Sequence, residues 1–177
     1  MKRILAAVTA SLLLATGVHA QSAAEKSGIN SVAGIAPKTQ DFVQEAAASD
    51  MFEIESSKLA VERGDEATKA FAQQMITEHE KTNSELKKMV GNLKLNPPPA
   101  SAMSSAQQGM LDELKALQGA DFNEEYHDQQ VTAHENAVDL FKRYGEEGET
   151  PELKAWAAKT LPALQHHLEM AQTLDKD

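Results

Sequence analysis

The chain has 177 residues, no cysteine and a formal net charge of −10 at pH 7. Its length suits one compact domain, and the lack of cysteine excludes disulfides and thiolate metal sites. The excess of acidic residues argues against nucleic acid and anionic membrane surfaces as partners, because both are bound through basic patches.

Residues 1–20 have the pattern of a secretory signal peptide. Lys2 and Arg3 precede an uncharged run from Ile4 to Val18, and Val18-His19-Ala20 is a small-residue cleavage site. The run is shorter than the roughly 20 apolar residues of a membrane-spanning helix. We therefore expect cleavage and export, with the periplasm as the destination and no stable membrane insertion of the mature chain.

Residues 21–38 are small and polar and lack an apolar period, so they are predicted to be a disordered spacer. The folded domain is predicted to span residues 39–175. Its first long helix should run from Thr39 to Gly64. The inward stripe of this helix carries one acidic residue, Glu53, among apolar and small ones: Phe42, Ala46, Ser49, Glu53, Ser56 and Ala60.

Asp65 is a predicted N-cap for a second long helix whose apolar stripe contains His79. The segment Asn96-Pro97-Pro98-Pro99 ends this helix and gives a stiff connection that is long enough to cross the bundle. Ser104 and Gln107 match a capping box, which predicts a short helix inside that connection.

A third long helix is predicted from Asp121 to Gly145, and a fourth begins with Thr150 as N-cap and Pro151 as its first residue. His167 lies in the middle of the fourth stripe. The inward positions of the third helix are taken as His127, Gln130, His134, Ala137, Phe141 and Tyr144. There is no sustained two-residue alternation typical of strands. The pattern predicts an all-α, ferritin-like antiparallel four-helix bundle with a short extra helix and a long crossover between the second and third long helices.

Ionisable side chains on these buried stripes need an explanation, because leaving one unpaired costs about 1–3 kcal/mol. Glu53, His79, His134 and His167 come one from each helix and could converge on a divalent metal such as zinc, iron or copper. Alternatively, each forms a hydrogen bond with a neighbouring helix. Counting residues from the loops places Glu53 near His79, but it places His127 rather than His134 level with His167. His127 is thus a possible substitute ligand.

The di-iron carboxylate signature requires two Glu-x-x-His segments. Only Glu124 and His127 satisfy it, which argues against iron oxidation. Met75 and Met170 lie one helical turn from His79 and His167, and a thioether beside an imidazole suits copper(I). Both methionines are equally compatible with ordinary core packing.

Several of these segments together resemble the bacterial exported family called domain of unknown function 4142. The matching residues are Phe71-Ala72, Met75, Glu78-His79, Tyr126, His134, Leu161-Pro162-Ala163-Leu164 and His167-Leu168. The resemblance covers nearly the whole predicted mature chain and implies a ferritin-like bundle with His79, His134 and His167 as its signature histidines. It thus favours His134 over His127, and it brings no established activity or cofactor.

Three functions remain open at this point. The chain could bind a divalent metal or small ligand in the cell envelope without catalysis. It could be a structural or stress-protective module that acts on an unidentified protein partner. It could also be a metal-dependent redox protein.

Overall fold

A computed structural model describes residues 28–98 and 103–174, so the predicted signal peptide lies outside the described residues. Within these ranges the chain is helical and contains no strand. The helices are α1 (Ile29–Ala33), α2 (Thr39–Arg63), α3 (Glu66–Asn92), α4 (Ser105–Ala116), α5 (Gly119–Glu147) and α6 (Pro151–Leu174). None of the helices in the described ranges is long and apolar enough to cross a membrane.

Two helix starts agree with the capping residues in the sequence, whereas α5 begins at Gly119, two residues before the predicted cap Asp121, and Thr39 is the first residue of α2 rather than its cap. The Asp65 carboxylate accepts a hydrogen bond of 2.8 Å from the Thr68 backbone N–H at the start of α3. Ser104 and Gln107 form both hydrogen bonds of a capping box at the start of α4. These side chains satisfy backbone N–H groups that the helix itself leaves unpaired.

The four long helices form the predicted bundle. Helix α2 packs along α3, α5 packs along α6, and the pairs meet through α2 with α5 and α3 with α6. Phe42 near the start of α2 stacks on Tyr144 near the end of α5, so these helices are antiparallel. Helices α3 and α5 consequently run in the same direction, and residues 93–118, which contain α4, must return along the bundle. This single long crossover is the ferritin-like connection.

Gly145 does not end α5, which continues to Glu147. A side chain at this position would place its Cβ 3.1 Å from the Cα of Ala158 on α6. Gly145 therefore allows the two helices to approach closely within a regular helix, and the predicted end was two residues too early. Helix α6 likewise continues through Pro162. Proline has no N–H to donate to the Ala158 carbonyl one turn earlier, but both residues are exposed, so water can reach that carbonyl.

The end of α4 is fixed by a residue that was not singled out in the sequence. The Arg63 guanidinium donates hydrogen bonds to the carbonyls of Leu114, Lys115 and Leu117. These are among the carbonyls that a helix end leaves without partners. Arg63 thereby attaches the crossover helix to the end of α2.

Residues 28–38 differ from the disordered spacer predicted for this segment, because they contain α1 and contact the bundle. The Ser31 hydroxyl donates to the carboxylate of Asp139 on α5. The guanidinium of Arg143, also on α5, donates to the Ile35 carbonyl. Polar contacts with a distant helix order this segment, and such contacts leave no apolar period in the sequence.

The apolar core is divided into two clusters at opposite ends of the bundle. One end is built around Phe42, Leu86, Phe141, Tyr144, Leu153 and Trp156. The other contains Ala60, Phe71, Met75, Leu114, Phe122 and Tyr126. Each long helix contributes buried ionisable or amide residues to the region between these clusters: Asp50 and Glu53, His79, Gln130 and His134, and His167. The bundle thus contains a polar layer between two apolar layers.

We predict that Asp65→Ala lowers the free energy of unfolding by about 1 kcal/mol, because the N-cap hydrogen bond to Thr68 is lost. Urea denaturation of the metal-free protein at pH 7 measures this change. Asp65→Asn is the matched control and should lose less, since an asparagine oxygen can accept the same hydrogen bond. Equal losses in the two variants would show that the cap is not the cause.

Candidate metal centre

Three imidazoles from three different helices meet in the polar layer. His79 on α3, His134 on α5 and His167 on α6 are 2%, 1% and 3% exposed. Their ring centroids are 5.4–5.7 Å apart. One ring nitrogen of each lies within 4.8 Å of the corresponding nitrogen on the other two. The three side chains therefore form one cluster rather than separate core contacts.

The remaining ring nitrogen of each histidine is held by a hydrogen bond. Nδ1 of His79 lies 2.8 Å from the Asp50 carboxylate. Nδ1 of His134 donates to the Gln130 carbonyl at 2.8 Å, and Nε2 of His167 lies 2.8 Å from the Glu78 carboxylate. Hydrogen bonds of this kind fix the tautomer and the ring orientation of metal-binding histidines. Each bond leaves the opposite ring nitrogen available to a ligand.

Those opposite nitrogens have no hydrogen-bond partner. In the described residues eight buried side-chain nitrogen or oxygen atoms lack a partner. Five of the eight are Nε2 of His79, Nε2 of His134, Nδ1 of His167 and both carboxylate oxygens of Glu53. Buried polar groups are normally paired, so this concentration of unpaired acceptors indicates a position for a cation or a donor.

Glu53 lies beside the three imidazoles rather than among their available nitrogens. One of its oxygens is 3.9 Å from Nδ1 of His134, the nitrogen that donates to Gln130. Burial raises the pKa of Glu53 to about 7, although the neighbouring His79 lowers it in part. The carboxylate is thus placed to balance the charge of a cation near the imidazoles.

Burial also controls the protonation of the histidines. It lowers the pKa of His134 to about 3 and that of His167 to about 4, so both rings are neutral at pH 7. Burial opposes protonation of His79 as well, but the hydrogen bond and charge of Asp50 outweigh it and raise the pKa of that ring. Neutral imidazoles are the form that binds metals.

The donor set fits a divalent transition metal. Metal–nitrogen bonds of about 2.0–2.1 Å place three imidazole nitrogens roughly 3.3–3.6 Å apart in trigonal or tetrahedral geometry. The upper separation of 4.8 Å in this structure is larger, so the three rings would need to move closer together around an ion.

The sequence-predicted residues are not all brought together. His127 hydrogen-bonds Thr68 through Nε2 at 2.8 Å and is not in the cluster, so the residue count that favoured it was wrong. With α5 ending at Glu147 and α6 starting at Pro151, His134 lies 13 residues before the loop and His167 lies 16 after it. His127 lies 20 residues before the loop, so the count from the observed helix ends does not separate the two histidines. The 5.4 Å between the ring centroids of His134 and His167 shows that His134 is the one beside His167.

Two residues that hydrogen-bond the imidazoles, Asp50 and Glu78, were not predicted from the sequence as site residues. Asp50 lies one turn before Glu53 on α2, and the Thr82 hydroxyl also donates to its carboxylate at 2.7 Å. Glu78 directly precedes His79, yet it contacts His167 on α6. An Asp-x-x-Glu spacing on the inward face could have identified Asp50. Nothing in the sequence indicates that Glu78 reaches a different helix. Met75 and Met170 pack in the apolar cluster beside the polar layer.

We predict that Glu53→Gln stabilises the metal-free protein in a pH-dependent way. Burial raises the pKa of Glu53 from 4.5 to about 7 on folding, so the stability that the protonated side chain contributes is lost as pH rises from about 4.5 through 7. The substitution should raise the free energy of unfolding at pH 8 by on the order of 2–3 kcal/mol, and by much less at pH 5.

Denaturant unfolding in a chelator at both pH values measures this difference. Glu55→Gln, which removes an exposed carboxylate from the same helix, is the control and should have little effect at either pH. An equal gain from Glu53→Gln at pH 5 and pH 8 would contradict the proposed cause.

A solved structure and a family model are similar to this chain. The structure of CopM in the Cu(II)-bound form is similar, with a TM-score of 0.67 and 19% sequence identity over 80% of this chain and 98% of that chain. This likeness shows a shared fold. No curated protein matches the chain. The model of the family described as domain of unknown function (DUF4142) matches residues 24–174, and the chain therefore belongs to that family.

Proposed function

We propose that the protein is exported to the periplasm and binds a divalent transition metal there through His79, His134 and His167, with copper as the favoured metal. Glu53 supplies a compensating charge beside the ion. The export step rests on the signal-peptide pattern of residues 1–20. The protein acts as a metal-binding protein and not as an enzyme.

The observation that carries this proposal is the orientation of the three imidazoles. Each uses one ring nitrogen in a hydrogen bond and leaves the other buried and unpaired. A structural role alone would predict that both nitrogens are paired, because an unpaired buried acceptor costs about 1–3 kcal/mol. A bound cation satisfies all three nitrogens at once.

Two observations favour copper among the possible metals. Imidazole nitrogens suit copper(II) well, and copper(II) binds to most nitrogen sites more tightly than the other divalent metals of its row. The structurally similar CopM is described in a Cu(II)-bound form. Zinc has the same preference for imidazole in tetrahedral geometry and is the competing metal.

Di-iron chemistry is not favoured by the geometry. The Glu-x-x-His segment formed by Glu124 and His127 lies outside the cluster, since His127 hydrogen-bonds Thr68. The cluster is instead rich in nitrogen and has one nearby carboxylate, Glu53, that lacks a partner. Such a site resembles a binding site for copper or zinc more than a carboxylate-bridged iron pair.

The direct test is to titrate the chelator-treated protein with Cu(II), and separately with Zn(II), by isothermal calorimetry. We expect one ion per chain with Cu(II) bound more tightly. His79→Ala and His167→Ala should each weaken binding by at least about tenfold, because each removes a direct ligand. Metal analysis of the protein purified from the cell envelope then shows which metal it carries.

His166→Ala is the matched control for His167→Ala, since His166 is the adjacent residue and its side chain is 65% exposed. It should bind the metal as the unmodified protein does. Absence of binding by the unmodified protein, or equal loss from His166→Ala and His167→Ala, would remove the metal-binding proposal and leave the structural alternative.

A further inference from the structure

The polar residues around the three imidazoles differ sharply in their access to water. The side chains of Asp50 and Glu53 are buried, and Gln130 is fully buried. The Glu78 side chain is 39% exposed, yet it contacts His167, which is only 3% exposed. Among the described residues that hydrogen-bond an imidazole of the cluster, Glu78 thus connects the centre with solvent.

The carboxylate of Glu78 is held in this bridging position from two sides. The Gln74 side chain donates to its Oε1 at 2.8 Å, and Nε2 of His167 lies 2.8 Å from its Oε2. The partners are on different helices, since Gln74 belongs to α3 and His167 to α6. The negative charge is therefore fixed at the α3–α6 face, directly outside the cluster.

We propose that Glu78 attracts cations to the entrance of the centre: a cation from solvent first meets this carboxylate at the α3–α6 face, and the imidazoles then bind it through their unpaired nitrogens, which for His167 is Nδ1 on the ring side away from Glu78. The inference rests on the proposed metal-binding function. The charge at the entrance also raises the local concentration of cations.

Two substitutions separate the charge of Glu78 from its hydrogen bond to His167. Glu78→Gln removes the charge but retains a side-chain oxygen that can accept from Nε2. Glu78→Asp retains the charge but is too short to keep the same hydrogen bond. The matched control is Glu80→Gln, which removes an exposed charge two residues away on the same helix.

The experiment is stopped-flow mixing of the chelator-treated protein with Cu(II) at low and high salt, followed by the fluorescence of the single tryptophan, Trp156, or by Cu(II) absorbance. We expect Glu78→Gln to slow association by roughly tenfold at low salt and to flatten its dependence on salt. Glu78→Asp and Glu80→Gln should associate within a few-fold of the unmodified rate.

The opposite pattern would overturn the inference. If Glu78 only orients His167, Glu78→Gln will keep the unmodified association rate, and Glu78→Asp will weaken binding through faster dissociation. Unchanged association in both variants also overturns it. Failure of the proposed function has a different signature, because the unmodified protein would then show no saturable binding of Cu(II) at all.

Discussion

Burial of three imidazoles in one layer of the bundle is the constraint on which the rest of the structure depends. Apolar side chains fill the core on both sides, so water is largely excluded from the layer. Every polar atom there needs a protein partner or a ligand, because an unpaired one costs about 1–3 kcal/mol. The helices meet this need for one nitrogen of each ring and leave the other available. This incomplete pairing is the physical basis of the proposed preference for a cation.

The hydrogen bonds outside the cluster decide what the imidazoles can do. Asp50 and Glu78 place negative charge behind His79 and His167, which increases the ability of the opposite nitrogens to donate to a metal. His134 is instead held by the Gln130 carbonyl of its own helix, which supplies a fixed dipole but no net charge. Two carboxylates behind the rings and a third, Glu53, beside them suit a doubly charged ion better than a neutral ligand.

Much of this architecture could be predicted from the sequence, because caps and apolar stripes are local signals. The bundle, its long crossover and the stripe positions of the four ionisable residues follow from spacing alone. The vertical alignment of His134 with His167 does not. It depends on how α5 and α6 pack against each other, and the close approach of Gly145 to Ala158 that is part of this packing is a tertiary contact. Pairings between helices, such as Glu78 with His167 and Ser31 with Asp139, have no local signal either.

The polar layer lowers the stability of the bundle as long as its buried atoms stay unpaired. Folded domains are stable by only about 5–15 kcal/mol, so even two unpaired buried atoms consume a considerable part of that margin. Leucine at the three histidine positions would remove the cost and join the two apolar clusters. A chain selected for stability alone would therefore not need His79, His134 and His167. A ligand that binds only the folded state stabilises it by an amount that grows with the logarithm of the ligand concentration divided by Kd, so a bound metal would offset the cost of the unpaired atoms. Under the proposed function, the polar layer thus couples the stability of the fold to metal binding.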